Sequence, residues 1–260
     1  MSDSEYMEGI LSSYGYRIID DKSDADIWLL NSCTVKDPSE SAFMHLVNTA
    51  ISNDTPVIVA GCVPQADRKI AGLENVSVVG IQQIDRVAEA VEETLKGNVV
   101  KMLSKKELPR LDLPKIRKNP FIEIIPLSTG CLGSCTYCKT KHARGKLGSY
   151  DKEALLDRVR AVTRERVSEI WLTSEDTGAY GLDIGTNIAE LLREVTNILP
   201  NDGPMLRLGM TNPPYMLNHL SAIAGAAHSC IPLCSGTDVL ILCFHRIRTS
   251  SHIFNPIPIF

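Results

Sequence analysis

The feature that most restricts the fold of this chain is a repeated alternation. Short apolar runs end at Gly, Asn or Cys, and each is followed by a stretch with helical spacing. Ile27 to Leu30 is one such run, ending at Asn31-Ser32-Cys33, and a helix-like stretch then opens at Pro38-Ser39-Glu40 and continues to Ser52. Pro56 to Ala60 is the next run, ending at Gly61-Cys62; Asn75 to Gly80 is a third, and Ile84 to Leu95 carries Val87, Val91 and Leu95 on one helical side. Short strands separated by helices pair in parallel, with helices on both faces of the sheet. Cys33 and Cys62 then fall just past the carboxyl ends of two strands, where open parallel sheets place their ligands.

The alternation resumes at Phe121. Phe121 to Pro126 reads as a strand, followed by a cysteine-rich loop, a helix over Lys152 to Arg166, a strand over Glu169 to Thr173, a helix over Asn187 to Leu199, a strand over Met205 to Leu208 and a helix starting near Pro214. Three successive β/α units predict a partial barrel of parallel strands. The fold class is therefore α/β, with an open parallel-sheet domain over residues 1–100 and an incomplete (β/α) partial barrel over 121–225.

Between them, residues 101–120 carry Lys101, Lys105, Lys106, Arg110, Lys115, Arg117 and Lys118 against Glu107 and Asp112, with Pro109, Pro114 and Pro120 as breakers. This reads as a basic linker, either a solvated connector or a segment that contacts phosphate. Residues 226–260 show no periodicity and read as a divergent tail.

Composition narrows the function classes. A chain of 260 residues holds one large or two modest domains, and a net charge of -4 argues against a wholly basic nucleic-acid coat while allowing a local basic groove. The longest apolar run, Val239 to Phe244, is far shorter than the roughly 18 residues of a spanning helix, so no membrane segment is expected. Met1-Ser-Asp-Ser-Glu-Tyr lacks the features of a signal peptide, which points to the cytoplasm and away from disulfides. The sequons at Asn53 and Asn75 are then chance matches.

Eight cysteines are many for a reducing compartment, and they group: Cys33 and Cys62 stand alone, Cys131, Cys135 and Cys138 cluster, and Cys230, Cys234 and Cys243 lie in the tail, where they read as free thiols. The C-x3-C-x2-C spacing of Cys131, Cys135 and Cys138 can wrap a compact iron-sulfur cubane with three thiolates and leave one iron open for a ligand. Gly130 and Gly133 suit a loop whose backbone passes close to a cluster. The competing assignment adds His142, giving C-x3-C-x2-C-x3-H, a set that could close a structural zinc site. Lys139, Lys141, Arg144 and Lys146 form either a solvated helix face or a phosphate-guiding patch. Glu175 and Asp176 follow a strand and read equally as a helix-start pair.

The loop, with its Tyr137-Cys138 ending, resembles the radical S-adenosylmethionine (SAM) superfamily. The longer string from Thr129 to Tyr150, together with Leu30-Asn-Ser-Cys-Thr-Val35, Ala60-Gly-Cys-Val-Pro-Gln65, the segment Glu169 to Gly181 and Arg207-Leu-Gly-Met-Thr-Asn-Pro213, is similar to the threonylcarbamoyladenosine tRNA methylthiotransferases over residues 3–225.

The resemblance implies a two-cluster enzyme that methylthiolates N6-threonylcarbamoyladenosine at position 37 of tRNA. Cys131, Cys135 and Cys138 would hold a 4Fe-4S cluster whose open iron chelates SAM. Reductive cleavage would give a radical that activates carbon 2 of the base, and sulfur and a methyl group from a second SAM would follow. Cys33 and Cys62 match two of three ligands of an auxiliary 4Fe-4S cluster. Ser174, Glu175, Arg207, Thr211 and Asn212 match positions after strands that contact SAM. Implied partners are tRNA, SAM and an electron donor, and full-length animal relatives carry an endoplasmic reticulum tail anchor.

The chain also departs from the family pattern. The family's first auxiliary-cluster cysteine falls before Met1, Ile231 to Leu240 only loosely matches a family segment, and the later barrel strands, the TRAM domain and the tail anchor have no counterpart. A chain shortened at both ends is the resulting expectation, with impaired turnover. Two further functions stay open at this point: a non-catalytic fragment that binds tRNA or a partner protein, and a structural zinc module.

Overall fold

A computed structural model describes residues 2–32, 37–66, 70, 72–104, 107–136, 138, 140–200, 202–226 and 233–235. Helix α1, Ser2–Ser13, opens the chain and buries Tyr6, Met7, Ile10 and Leu11. These residues sit at the i, i+4 spacing that lines one helical face. Strand β1 (Trp28–Ser32), helix α2 (Asp37–Ser52), strand β2 (Val57–Gly61), the short helix α3 (Cys62–Ala66), strand β3 (Ser77–Val79), helix α4 (Val87–Leu95) and strand β4 (Lys101–Met102) complete the first unit.

Its sheet runs β1-β2-β3-β4, parallel throughout. The side chains of β2 alternate between two cores. Ile58 and Ala60 join α1 and α4 on one face, and Val57 and Val59 join Phe43 and Val47 of α2 on the other. That is the doubly covered sheet the alternation implies. Leu95 departs from expectation: it is exposed while Val87 and Val91 are buried, because the helix ends at Leu95 and its last turn projects past the core.

The second unit comprises β5 (Ile122–Pro126), β6 (Ser128–Thr129), α5 (Thr140–Arg144), β7 (Gly148–Ser149), α6 (Lys152–Arg164), β8 (Glu169–Thr173), α7 (Ile188–Ile198), β9 (Met205–Thr211), α8 (Pro213–Met216), α9 (Leu220–Ala226) and β10 (Leu233–Ser235). Its main sheet has the order β10-β9-β8-β5, again parallel, and β6 and β7 form a small antiparallel pair. Asp151 caps α6 by accepting from the Glu153 and Ala154 amides, and Asn187 caps α7 by accepting from Glu190.

Ile125, Ile170, Leu172, Leu206 and Leu208 point to the helical layer, against Leu155, Leu156, Val159, Leu191 and Val195. Trp171 and Arg207 point to the other face, which is the inner face of a partial barrel. Most of the tail lies outside the described residues. The exception corrects the reading of a structureless tail: 233–235 adds a fourth parallel strand beside β9.

The segment 101–120 is not a free connector. Lys101 and Met102 pair with β3, and Lys101 Nζ donates to the Leu73 and Val76 carbonyls. Lys115 is buried between two carboxylates, with Nζ 3.1 Å from Glu5 Oε2 and 3.0 Å from Glu123 Oε1. Arg117 bridges Glu123 and Glu165. Lys115 and Arg117 are held in internal pairs by carboxylates from α1, β5 and the end of α6, whereas Arg110 is exposed beside Asp112. Lys105 and Lys106 lie outside the described residues.

Candidate functional site

The cysteine loop leaves β6 and enters α5, and both ends are pinned. Cys131 N donates to the Gly145 carbonyl at 3.2 Å, and Cys138 N to the Cys135 carbonyl at 3.2 Å. Lys141 Nζ reaches back to Ser134 Oγ at 2.9 Å and to the Leu132 carbonyl at 3.3 Å. Lys141 thus fastens the loop. Cys131, Cys135 and Cys138 line a cavity of about 350 Å³ with Gly133, Thr140 and His142. Burial pushes the Cys131 thiol up, and Cys138 Sγ donates to Thr140 Oγ1 at 3.1 Å.

The donor set fits a cluster better than a single ion. A methyl at Gly133 would lie 3.6 Å from Cys131 Sγ and 3.9 Å from Cys135 Sγ, so the bare Cα leaves open the space both sulfurs face. A mononuclear ion requires its ligands to converge on one point. A cubane instead takes each thiolate on a different iron. His142 is exposed on α5, at the rim of the cavity that the thiols line. Gly130 has the positive φ that favours a glycine in such a loop. Its φ is +71°, and a Cβ there would sit 2.0 Å from the Lys146 carbonyl oxygen, so it is needed for backbone packing rather than for room beside a cluster.

Cys62 begins α3 directly after β2, at the strand end where the sequence placed it, and is buried. Cys33 lies outside the described residues. Helix α3 packs on α5, and Cys62 shares a small apolar contact with Ala143 and Ile81. Arg144, at the end of α5, donates from Nε to Cys62 Sγ at 3.1 Å and from Nη2 to Asp3 Oδ2 at 3.3 Å, and it pairs with Glu175 Oε1 at 2.9 Å. Burial raises the Cys62 thiol, with Arg144 opposing it. For Arg144 itself, burial favours the neutral form, but Asp3, Cys62 and Glu175 outweigh it and hold the guanidinium firmly charged. Arg144 is therefore an internal tie rather than a guide for phosphate, while Lys139 lies outside the described residues.

The remaining predicted positions gather at the carboxyl ends of β8 and β9. Ser174 Oγ accepts from Asp176 N at 3.1 Å. Asp176 is buried, caps the turn Thr177–Ala179 through Gly178 N, and accepts from Asn212 N at 3.2 Å and Asn212 Nδ2 at 2.9 Å. The helix-start reading holds for Asp176, whereas Glu175 is committed to Arg144. Thr211 closes β9, and its buried hydroxyl, like that of Thr177, has no protein partner. Arg207 lies within β9 rather than after a strand, since β9 runs to Thr211, and its guanidinium stacks 4.4 Å over the Trp171 ring. Trp171 was missed as a supporting residue; the period-2 pattern of β8 was the available signal for it.

Comparison with known proteins follows the same division. Residues 1–80 match Uncharacterized protein family UPF0004, and residues 125–231 match the Radical SAM superfamily. Over 230 residues, 86% of this chain and 40% of the relative, the sequence is 56% identical to the human threonylcarbamoyladenosine tRNA methylthiotransferase. It is 52% identical to the Drosophila pseudoobscura protein of that name over 92% of this chain and 46% of the relative. The chain thus spans less than half the length of these relatives. Among solved structures, the radical S-adenosylmethionine methyltransferase TsrM from Kitasatospora setae superposes with a TM-score of 0.59 at 15% identity, over 91% of this chain and 56% of that one, a likeness of fold. Among the described residues no helix is long and apolar enough to cross a membrane.

Proposed function

We propose that this chain is part of a tRNA methylthiotransferase of the radical SAM superfamily and carries the SAM-binding and sulfur-handling junction of an enzyme that methylthiolates N6-threonylcarbamoyladenosine in tRNA. The observation that supports the reading is the packing of α3 on α5, which brings Cys62 against Ala143 of the helix that follows the three-cysteine loop. In this assignment residues 1–100 form the methylthiotransferase unit, 101–120 the connection and 121–225 the SAM-binding core.

Cys131, Cys135 and Cys138 would hold a 4Fe-4S cluster with one iron left for SAM. When bound, that cluster supplies the electron that cleaves SAM reductively. The chain's own residues bind and orient. Lys141 fixes the loop, Ser174, Thr211 and Asn212 offer polar atoms at the strand ends, Glu175 is held by Arg144, and the Thr211 hydroxyl has no protein partner. Asp176 holds Asn212 in place, and Trp171 holds Arg207 on the inner barrel face. Cys62, with Cys33, is assigned to the auxiliary cluster. A tRNA, an electron donor and SAM are the partners, and the cytosol, where thiols remain reduced, is the setting.

Anaerobic reconstitution tests the reading. The expected result is about four iron and four sulfide per chain for a Cys33→Ala/Cys62→Ala variant, in which only the loop can bind, with SAM cleaved on reduction. Zinc in place of iron, or iron that survives Cys135→Ala in that background, would overturn it.

A further inference from the structure

Arg144 ends α5, the helix that follows the three-cysteine loop, and hydrogen-bonds to the buried Cys62. Its guanidinium donates from Nε to Cys62 Sγ at 3.1 Å and from Nη2 to Asp3 Oδ2 at 3.3 Å, with Glu175 Oε1 in ion-pair contact 2.9 Å from the same Nε. Asp3 belongs to α1 and Cys62 to α3, both in the first unit; Glu175 follows β8 in the second. The side chain is four-fifths buried, so these bonds are made away from bulk water, where a charged donor is strong and a missing one leaves its partners stranded. A guanidinium can serve several acceptors at fixed angles, and a lysine ammonium at this position could not reproduce that fork.

We infer that Arg144 is a positioning residue that fixes the Cys62 sulfur relative to the three-cysteine loop by tying it, through one guanidinium, to Asp3 and Glu175. The inference rests on the function proposed above only in what the positioning is for. The geometry itself concerns thiols and carboxylates of the metal-free chain. The consequence is local: without Arg144, α3 and the start of α1 lose their polar tie to α5, while the loop keeps its anchors at Gly145 and Lys141.

The test labels thiols in the metal-free full chain with iodoacetamide and reads each cysteine by mass spectrometry, comparing wild type, Arg144→Ala, Arg144→Lys and Arg144→Ala with millimolar guanidinium. Cys62, only 4% exposed, is expected to label at least about tenfold faster relative to Cys135 in Arg144→Ala, to be partly protected in Arg144→Lys, and to return toward wild-type protection with guanidinium. Unchanged Cys62 labelling in both variants overturns the inference. So does faster labelling that guanidinium leaves unaltered and that accompanies a general rise at every thiol, since that marks loss of fold. Iron uptake is measured separately on the Arg144→Lys chain. A loop that takes up no iron in wild type sinks the proposed function while leaving the labelling result, obtained without metal, to stand on its own.

Discussion

Glu123 sits at the centre of the charge network that joins the two units, and replacing it with Gln is the sharpest test of what that network contributes. Its side chain is fully buried and accepts from Lys115 at 3.0 Å, from Arg158 at 2.9 Å and from Arg117. Gln keeps the volume but removes the charge and turns one oxygen into an NH₂ that faces cations. Breaking a buried pair by removing one partner costs about 3–5 kcal/mol. The lower end applies here, because Lys115 keeps Glu5 and Arg117 keeps Glu165. A loss of about 3 kcal/mol lowers the unfolding midpoint by about 6–12 °C in a chain of this size.

Urea denaturation, with an unchanged slope, reads the loss directly. Burial pushes the Glu123 carboxyl up, but Lys115 and Arg158 outweigh it and hold it below the usual glutamate range. Its stabilising effect is therefore fully present above the unfolded-state pKa of about 4.3 and disappears as pH falls through the lower folded value. The Gln variant should lack that part of the acid dependence. A loss under about 1 kcal/mol, or an acid profile identical to wild type, would refute the reasoning, since pairs that weak are typical of exposed charges.

Two further substitutions separate folding from cofactor binding. Gly130→Ala places a methyl 2.0 Å from the Lys146 oxygen at a positive φ and should cost about 2–5 kcal/mol in urea, whereas Gly133→Ala meets sulfur only at ordinary contact distance and should leave stability near wild type while lowering iron uptake. Equal effects of the two on stability would contradict the distinct roles given to these glycines. Asp176→Ala removes the acceptor of three hydrogen bonds and strands Asn212, so a stability loss of about 2–4 kcal/mol and weaker SAM binding by the reconstituted chain are expected; unaltered SAM affinity would take Asn212 out of the cofactor site.

The strands were legible because each is a short apolar run bounded by turn residues, and the two-sided alternation of Val57 to Ala60 made a doubly covered sheet readable from one strand. The cysteine loop was legible for a different reason: its ligands are neighbours in sequence, so spacing alone carries the geometry. Helix α1 was missed although Tyr6, Met7, Ile10 and Leu11 have helical spacing, because Gly9 and the serines dilute the signal. Strand β4 could not have been read, since a Lys-Met pair owes its conformation to the edge of β3. The partners of Arg144 lie 82 and 141 positions upstream, a distance over which no local pattern predicts pairing, and so the residue read as surface charge.

The same separation explains why the junction between the units is polar. The large cores stay on their own sides, α1, α2 and α4 around the first sheet and α6 and α7 behind the second, and the apolar contact that spans them at the cysteine sites is small: Cys62, Ile81 and Ala143. An apolar interface of that size tolerates sliding, because dispersion and burial depend weakly on direction. Charged hydrogen bonds do not, because they weaken steeply with angle. Tying α1 to β5 through Lys115 and Glu123, and tying α1 and α3 to α5 through Arg144, places directional bonds on two sides of the joint. The placement of Cys62 beside α5 thus rests on the packing of α3 on α5 together with the directional bonds of Arg144, which is why substitution of Arg144 should loosen it.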